Sequence, residues 1–259
     1  MVETLYKITS DKVENKILLA LVSDLHNFPA KDAIASLKRR KPDLILMPGD
    51  IFDTDVNGVK PVQEESLALV EAAASIAPSY LSIGNHEWSP TPELRRAVEA
   101  RGAVLLDDDT AYYYVKHNRF VIGGLNSPCY RFGEYSRWET PAPNLAYVDE
   151  FTREKGFKIL LSHHPEFYPT YLKGKKIDLI VSGHAHGGQV RLFGQGLFAP
   201  GQGILPKLTD GIHDDKLVVS RGLGNGVHLP RLFNPYEVCY ISIEPKKENS
   251  GNLKNSFRV

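Results

Sequence analysis

The sequence predicts an α/β fold with a mostly parallel sheet covered by helices, and three observations carry that prediction. Short β-rich apolar runs alternate with amphipathic helical patterns through the first half of the chain. The same rhythm returns after residue 156. At five of the apolar runs, polar residues of metal-binding type take over at the end of the run. Short strands alternating with helical patterns are the mark of βαβ units, hence of a parallel sheet buried by helices.

Taken in order, ILLALVS leads into DLHN and then the helical KDAIASLKRRK. DLILMP leads into GDIFDTD and then EESLALVEAAASIA. SYLSI leads into GNHEWS and then TPELRRAVEARG. Thr91 before Pro92 predicts an N-cap followed by proline at the first helical position, and Gly102 after Arg101 predicts a C-cap. AYYYVKHNRFVIGGL predicts a hairpin turning at His117 and Asn118. Residues 126–144, with Pro128, Pro141 and Pro143, read as loop. FKILLS then runs into HHPEF, and KIDLIVS into GHAHGGQ. From 187 to 226 the chain is rich in glycine and poor in helix, which predicts irregular loops folded over a site. LVVSRGL and EVCYISIE read as closing strands, and the polar tail 245–259 as frayed.

Composition narrows the function classes. At 259 residues, 42% hydrophobic and 24% charged, the chain can bury a large core, and residues 1–259 are expected to form one large domain. Net charge is zero, so nothing in the balance draws the chain to nucleic acid or to an anionic membrane. Cys129 and Cys239 fit no zinc spacing and no disulfide framework. The apolar run 17–22 is too short to span a membrane and lacks the pattern of a cleaved signal. Together these point to a cytoplasmic protein.

In open α/β sheets, ligands bind beyond the carboxyl ends of the strands. Here those ends carry Asp24 and His26, Asp50, Asn85 and His86, His163, and His184 and His186. Six of the nine histidines lie in these clusters once His164 is counted, a concentration that scattered core histidines would not give. Each segment alone is weak, because Gly-Asp and Gly-Asn are common turns. The ordered set is specific. Imidazole and carboxylate donors suit manganese, iron or zinc, and a carboxylate such as Asp50 has two oxygens with which to bridge two cations.

DLH, GD, GNHE, SHHP and GHAHGGQ resemble, in order, the five motifs of calcineurin-like metallophosphoesterases, and SRGLG and LFNPYEV further resemble a bacterial phosphodiesterase branch of that superfamily. The resemblance implies a four-layer αββα sandwich with two central mixed sheets flanked by helices. It implies one divalent metal held by Asp24, His26, Asp50 and His186, and a second held by Asp50, Asn85, His163 and His184. Manganese is the expected metal, with iron and zinc as alternatives. A hydroxide between the two ions would attack phosphorus. His86 matches a histidine that is not a ligand and is assigned to the leaving oxygen.

Other residues have two readings. Glu87 either orients His86 or caps the next helix. Arg221 either contacts a phosphate oxygen or forms a salt bridge. His213, Asn225, His228, Tyr130 and Arg131 read as ordinary loop residues that could line a cleft. Alternation along an extended segment turns only one of His163 and His164 toward the metals, and Pro165 favours extension at His164. The motif places the ligand at His163, so His164 is expected to point away or to meet substrate at the rim.

Protein Ser/Thr phosphatases of the superfamily carry an arginine at the position of Ile83, and its absence favours phosphodiester or pyrophosphate-type bonds in a small-molecule substrate. The rival readings are a non-enzymatic metal-binding scaffold, a nuclease, which would need a positive cleft, and a membrane-associated lipid phosphoesterase. Exposed apolar loops near 192–198 or 229–233 would mark the last of these.

Overall fold

A computed structural model describes residues 1–53, 63–87, 92–129, 140–226 and 230–246. The chain begins with β1 (Val2–Ser10) and β2 (Ile17–Leu21), then α1 (Lys31–Arg40), β3 (Leu44–Pro48), α2 (Glu64–Ile76), β4 (Ser79–Ser82), α3 (Pro92–Glu99) and β5 (Val104–Leu106). The hairpin β6 (Asp109–Val115) and β7 (Asn118–Leu125) follows, then α4 (Leu145–Phe151), β8 (Phe157–Ser162), a π-helical turn (Tyr168–Leu172) and β9 (Leu179–Ser182).

The glycine-rich stretch is more ordered than expected. It folds into three small hairpins: β10 (Arg191–Leu192) with β11 (Gln195–Gly196), β12 (Phe198–Ala199) with β13 (Gly203–Ile204), and β14 (Gly211–His213) with β15 (Leu217–Val219). β16 (Glu237–Pro245) completes the set.

Among the described residues the strands form two six-stranded sheets, ordered β1-β16-β2-β3-β4-β5 and β14-β15-β9-β8-β7-β6. β2 to β5 are parallel, as the βαβ rhythm predicts, but β16 runs antiparallel to β2, and the β6–β7 and β14–β15 pairs are antiparallel. Both sheets are therefore mixed.

Period-two burial produces the four layers. Ile17, Leu19, Leu21, Leu44 and Leu46 on one sheet pack against Phe120, Phe157, Ile159, Leu161, Leu179 and Val181 on the other. The alternate residues Ala20, Val22, Ile45, Met47 and Leu81 turn outward to meet Leu37, Leu69, Val70, Leu94 and Val98 of α1, α2 and α3. On the far side, Val121, Leu160 and Ile180 meet Val148, Phe151 and Leu172. A strand buried on both faces must be apolar at every position, which explains the unbroken runs in the sequence.

Several boundaries differ from expectation. β1 has no counterpart in the sequence reading. It is an edge strand whose partner β16 lies at the other end of the chain, in parallel register Val2↔Glu237 through Ser10↔Pro245. The hairpin turns at Lys116 and His117, both with positive φ, and Asn118 already pairs with Val115. Pro245 ends β16, and Lys246 N–H donates to the Ser10 carbonyl, so order extends past the start of the expected tail. Thr91 and the rest of the tail lie outside the described residues. Gly102 has φ +85°, the left-handed geometry expected of a helix C-cap. Cys129 and Cys239 are buried free thiols. No helix among the described residues is long and apolar enough to cross a membrane.

Candidate metal centre

β2, β3 and β4 of one sheet and β8 and β9 of the other end at a common edge, and the residues that follow each strand converge there. The loops are tightly wound. Asp24, His26, Asp50, His184 and His186 all have φ between 46° and 65°. Non-glycine residues rarely adopt that region, and clusters of such strain collect at functional sites. The chain passes close to itself as well. A side chain at Gly49 (φ +84°) would meet the Gly84 nitrogen at 2.5 Å and His163 Nδ1 at 2.9 Å.

Four overlapping groups of possible donors occur among the described residues. Asp24, His26 and His186 form the first and Asp50, His163 and His184 the second, while His26 also meets Asp53 and His86, and His184 also meets His164 and Glu166. In the first, Nε2 of His26 and Nε2 of His186 face each other at 3.1 Å, and His186 Nε2 lies 3.7 Å from Asp24 Oδ1. In the second, His163 Nε2 is 3.1 Å from Asp50 Oδ2 and 3.0 Å from Asn85 Oδ1. Donors bound to one ion at about 2.0–2.2 Å are separated by roughly 3 Å or slightly more, so these spacings suit a shared cation. Asp50 Oδ2 also lies 3.8 Å from His26 Nε2, between the two groups. All seven residues expected as ligands are thus brought together, and all are buried.

Asp24 Oδ2 and His186 Nδ1 are buried with no hydrogen-bond partner. A buried polar atom without a partner is costly, and a cation would relieve the carboxylate. Burial pushes His184 and His186 well below the usual imidazole range, which keeps them in the neutral form that binds metals. His163 differs. Burial opposes its charge, but Asp50, Asp24 and Glu87 raise it to about 10. Its Nδ1 donates to the Pro48 carbonyl at 2.7 Å, so a proton on Nε2 stands where a cation would lie between Asp50 and Asn85. That backbone bond also aims Nε2, a common device for orienting ligand histidines. Burial would raise Asp50, but the neighbouring His163, His86 and His26 hold it well below the usual carboxylate range. The residues present fit a pair of divalent cations.

His86 stands beside the first group, its ring edge-on to His26 at 4.5 Å between centroids. Its backbone N–H donates to Asp50 Oδ1 at 2.8 Å. Its Nδ1 lies 2.7 Å from Asp53 Oδ1, which is also 3.0 Å from His26 Nδ1. Asp53 is a site residue that the sequence reading missed. The visible signal was the second acidic position in GDIFD, three residues beyond Asp50. Burial lowers the His86 pKa, but Asp50 and Asp53 reverse that and raise it to about 9.

Glu87 fits neither of its expected roles. Its buried carboxylate accepts from the backbone N–H groups of Asp50, Ile51, Phe52 and Gly84, all at 2.8–3.0 Å. It clamps the Asp50 loop onto the Asn85 loop. Burial and the charge of Asp50 raise its pKa to about 7 against those four donors.

Arg221 takes the salt-bridge alternative. Its Nη2 donates to buried Glu237 at 3.2 Å, and its Nε lies 3.5 Å from Asp210. The cation whose charge acts on Asp24 and His186 is instead Arg231. Arg231 donates to the carbonyls of Gly224 and Arg221 and lies over Tyr236. His164 is buried, not at a rim. Its Nε2 meets Ser127 Oγ at 2.7 Å, its Nδ1 meets Glu166 at 3.2 Å, and its ring stands 4.3 Å from that of His184. Asn225 accepts from Gln189 Nε2 and lines a cavity of about 660 Å³ together with Phe28, Arg231, Asn234 and Tyr236. His213 hydrogen-bonds with the Asp210 carbonyl. Tyr130, Arg131 and His228 lie outside the described residues.

Comparison with known proteins agrees with this geometry. An uncharacterised metallophosphoesterase of Aquifex aeolicus is 27% identical over 262 residues, covering 93% of this chain and 91% of that protein. One from Helicobacter pylori is 26% identical over 247 residues, covering 92% of this chain and 62% of its own length. The chain therefore spans less than two thirds of that relative. The phosphodiesterase YaeI of Escherichia coli is 24% identical over 167 residues, covering 62% of this chain and 55% of that protein. The profile of the calcineurin-like phosphoesterases matches residues 17–188, a span that holds every donor described above. With the donor loops in family order at the strand ends of two mixed sheets, the chain belongs to the calcineurin-like phosphoesterase family.

Proposed function

We propose that this chain hydrolyses phosphodiester or pyrophosphate-type bonds in a small-molecule substrate at a dinuclear metal centre. Asp24, His26, Asp50 and His186 would hold one cation, and Asp50, Asn85, His163 and His184 the other. The observation that carries the proposal is the place of Asp50 Oδ2, 3.1 Å from His163 Nε2 in one group and 3.8 Å from His26 Nε2 in the other. When bound, two divalent ions would activate water and clamp the phosphoryl oxygens. The donor set favours manganese, iron or zinc, of which we propose manganese.

The remaining chemistry falls to the chain itself. His86, held at Nδ1 by Asp53, would give a proton from Nε2 to the leaving oxygen. Asp53 fixes that ring and the His26 ring together. Glu87 holds the two loops at a fixed spacing, so the donors need no rearrangement when substrate binds. The inner core shared by both sheets supports reading the chain as a single catalytic domain.

Three points favour diesters over monoesters. Ile83 is buried against the helix layer, where a phosphatase-type arginine would have to stand. The guanidinium groups of Arg221 and Arg231 already donate to a carboxylate and to backbone carbonyls, bonds that they would have to give up to clamp a phosphate dianion. The relative YaeI is named a phosphodiesterase. The test is turnover of an aryl phosphodiester against the matching monoester in saturating manganese. Faster diester cleavage is expected. A clear monoester preference across several leaving groups would contradict the reading.

A further inference from the structure

Three turns beyond the donor loops each end in two exposed apolar residues: Leu192 and Phe193, Ile204 and Leu205, and Leu232 and Phe233. Phe193 is fully exposed, Phe233 is 81% exposed and Ile204 73%. Phe193, Leu205 and Phe233 all have φ between 50° and 53°. Bulky residues disfavour that geometry, and glycine or asparagine would serve a plain turn better. At three tips in succession, the chain instead carries a large apolar side chain outward.

The tips form one ridge. Arg191 N–H donates to the Leu232 carbonyl at 3.0 Å, and Gln195 Nε2 donates to the Pro206 carbonyl at 2.8 Å. Leu205 N–H donates to the Leu197 carbonyl at 2.9 Å. The ridge is also fixed to the metal centre. Arg191 donates to the Gly187 carbonyl at 2.9 Å, and Asn234 Nδ2 donates to the carbonyls of His186 and Gln189 at 2.7 and 3.1 Å.

Charge identifies what such a ridge meets. The sequence has no Asp or Glu from 187 to 209 or from 222 to 236, in a chain with 31 acidic residues. The same stretches carry Arg191, Lys207 and Arg231. Arg191 pairs with Asp210, whereas Lys207 is exposed beside the Ile204 tip. Separated, exposed apolar tips with the exposed Lys207 beside them, and with the nearby Asp210 and Asp214 paired to Arg191 and Lys173, suit a lipid interface better than a flat protein face.

We propose that the ridge of residues 192–193, 204–205 and 232–233 docks on an anionic phospholipid bilayer, inserting its apolar tips and holding the metal centre near the headgroups. The docking does not depend on the reaction proposed above, and its test is separate from turnover. The full chain is sedimented with phosphatidylglycerol/phosphatidylcholine vesicles and with phosphatidylcholine vesicles. Binding is expected to both, tighter with phosphatidylglycerol. The double variant Phe193→Asp, Ile204→Asp should lose partitioning by at least about tenfold, because it removes two insertion sites and adds repulsion. Its thermal unfolding midpoint should match the parent, which shows that the fold is intact. No binding to either vesicle, or equal partitioning of parent and variant, would overturn the proposal. So would lipid-free self-association that the variant abolishes, since the ridge would then be a protein interface.

Discussion

Nδ1 of His86 lies 2.7 Å from Oδ1 of Asp53, so the residue assigned to the leaving group is oriented by a carboxylate that is not one of the seven expected ligands. Asp53 also engages His26. One side chain thereby aligns a proposed proton donor and a proposed metal ligand, and its own pKa is held low by those two imidazoles against the effect of burial.

Asp53→Asn should lower kcat by about 10–100-fold, the usual range for a residue that orients a ligand or its neighbour. It should also move the alkaline limb of the rate profile. The carboxylates raise the His86 pKa to about 9. The acid form is present below that pKa and is lost as pH rises through it. Removing the Asp53 charge lowers the pKa, so the limb should fall to lower pH. An unchanged limb in Asp53→Asn would mean that His86 is not the titrating acid.

Glu87→Gln should destabilise the metal-free protein by about 2–3 kcal/mol, because the amide group would face backbone donors and charge-assisted bonds would be lost. The carboxylate accepts four N–H groups across two loops, so the loss is local to the site. Urea unfolding of parent and variant measures it. An unchanged midpoint would show that the loops hold their places without the clamp.

The sequence made the strand-end clusters legible because each lies within a few residues of an unbroken apolar run. Asp24, Asp50, His163 and His184 needed no long-range knowledge to be placed at the ends of β2, β3, β8 and β9. What escaped depends on distant partners. β1 alternates weakly and, among the described residues, pairs only with β16, at the far end of the sequence. Arg221 faces Glu237, and the Glu87 carboxylate folds back 37 residues to Asp50. Alternation predicted that His164 would turn from the centre, but the chain bends at Pro165 and Glu166 and leaves its ring packed on His184 and Phe167.

His163→Ala should strip the second ion, since its Nε2 meets both Asp50 and Asn85. His164→Ala should keep both ions. It should instead cost stability of about 1–3 kcal/mol, because Ser127 and Glu166 each lose a buried partner. Metal titration and thermal unfolding of the two variants separate these outcomes. Loss of the second ion in His164→Ala alone would reverse the assignment.

Arg221→Gln should leave KM within about twofold while lowering stability by roughly 2 kcal/mol or more, because buried Glu237 would lose its charged partner. A large rise in KM with stability unchanged would return Arg221 to the substrate.

The most direct test of the dinuclear centre is the manganese content of loaded, active protein, measured by elemental analysis beside Asp50→Ala. Two ions per chain are expected in the parent. Because Asp50 is the side chain proposed to touch both ions, Asp50→Ala should lose metal and turnover more completely than any other single ligand change. An active parent carrying one ion per chain would contradict the account.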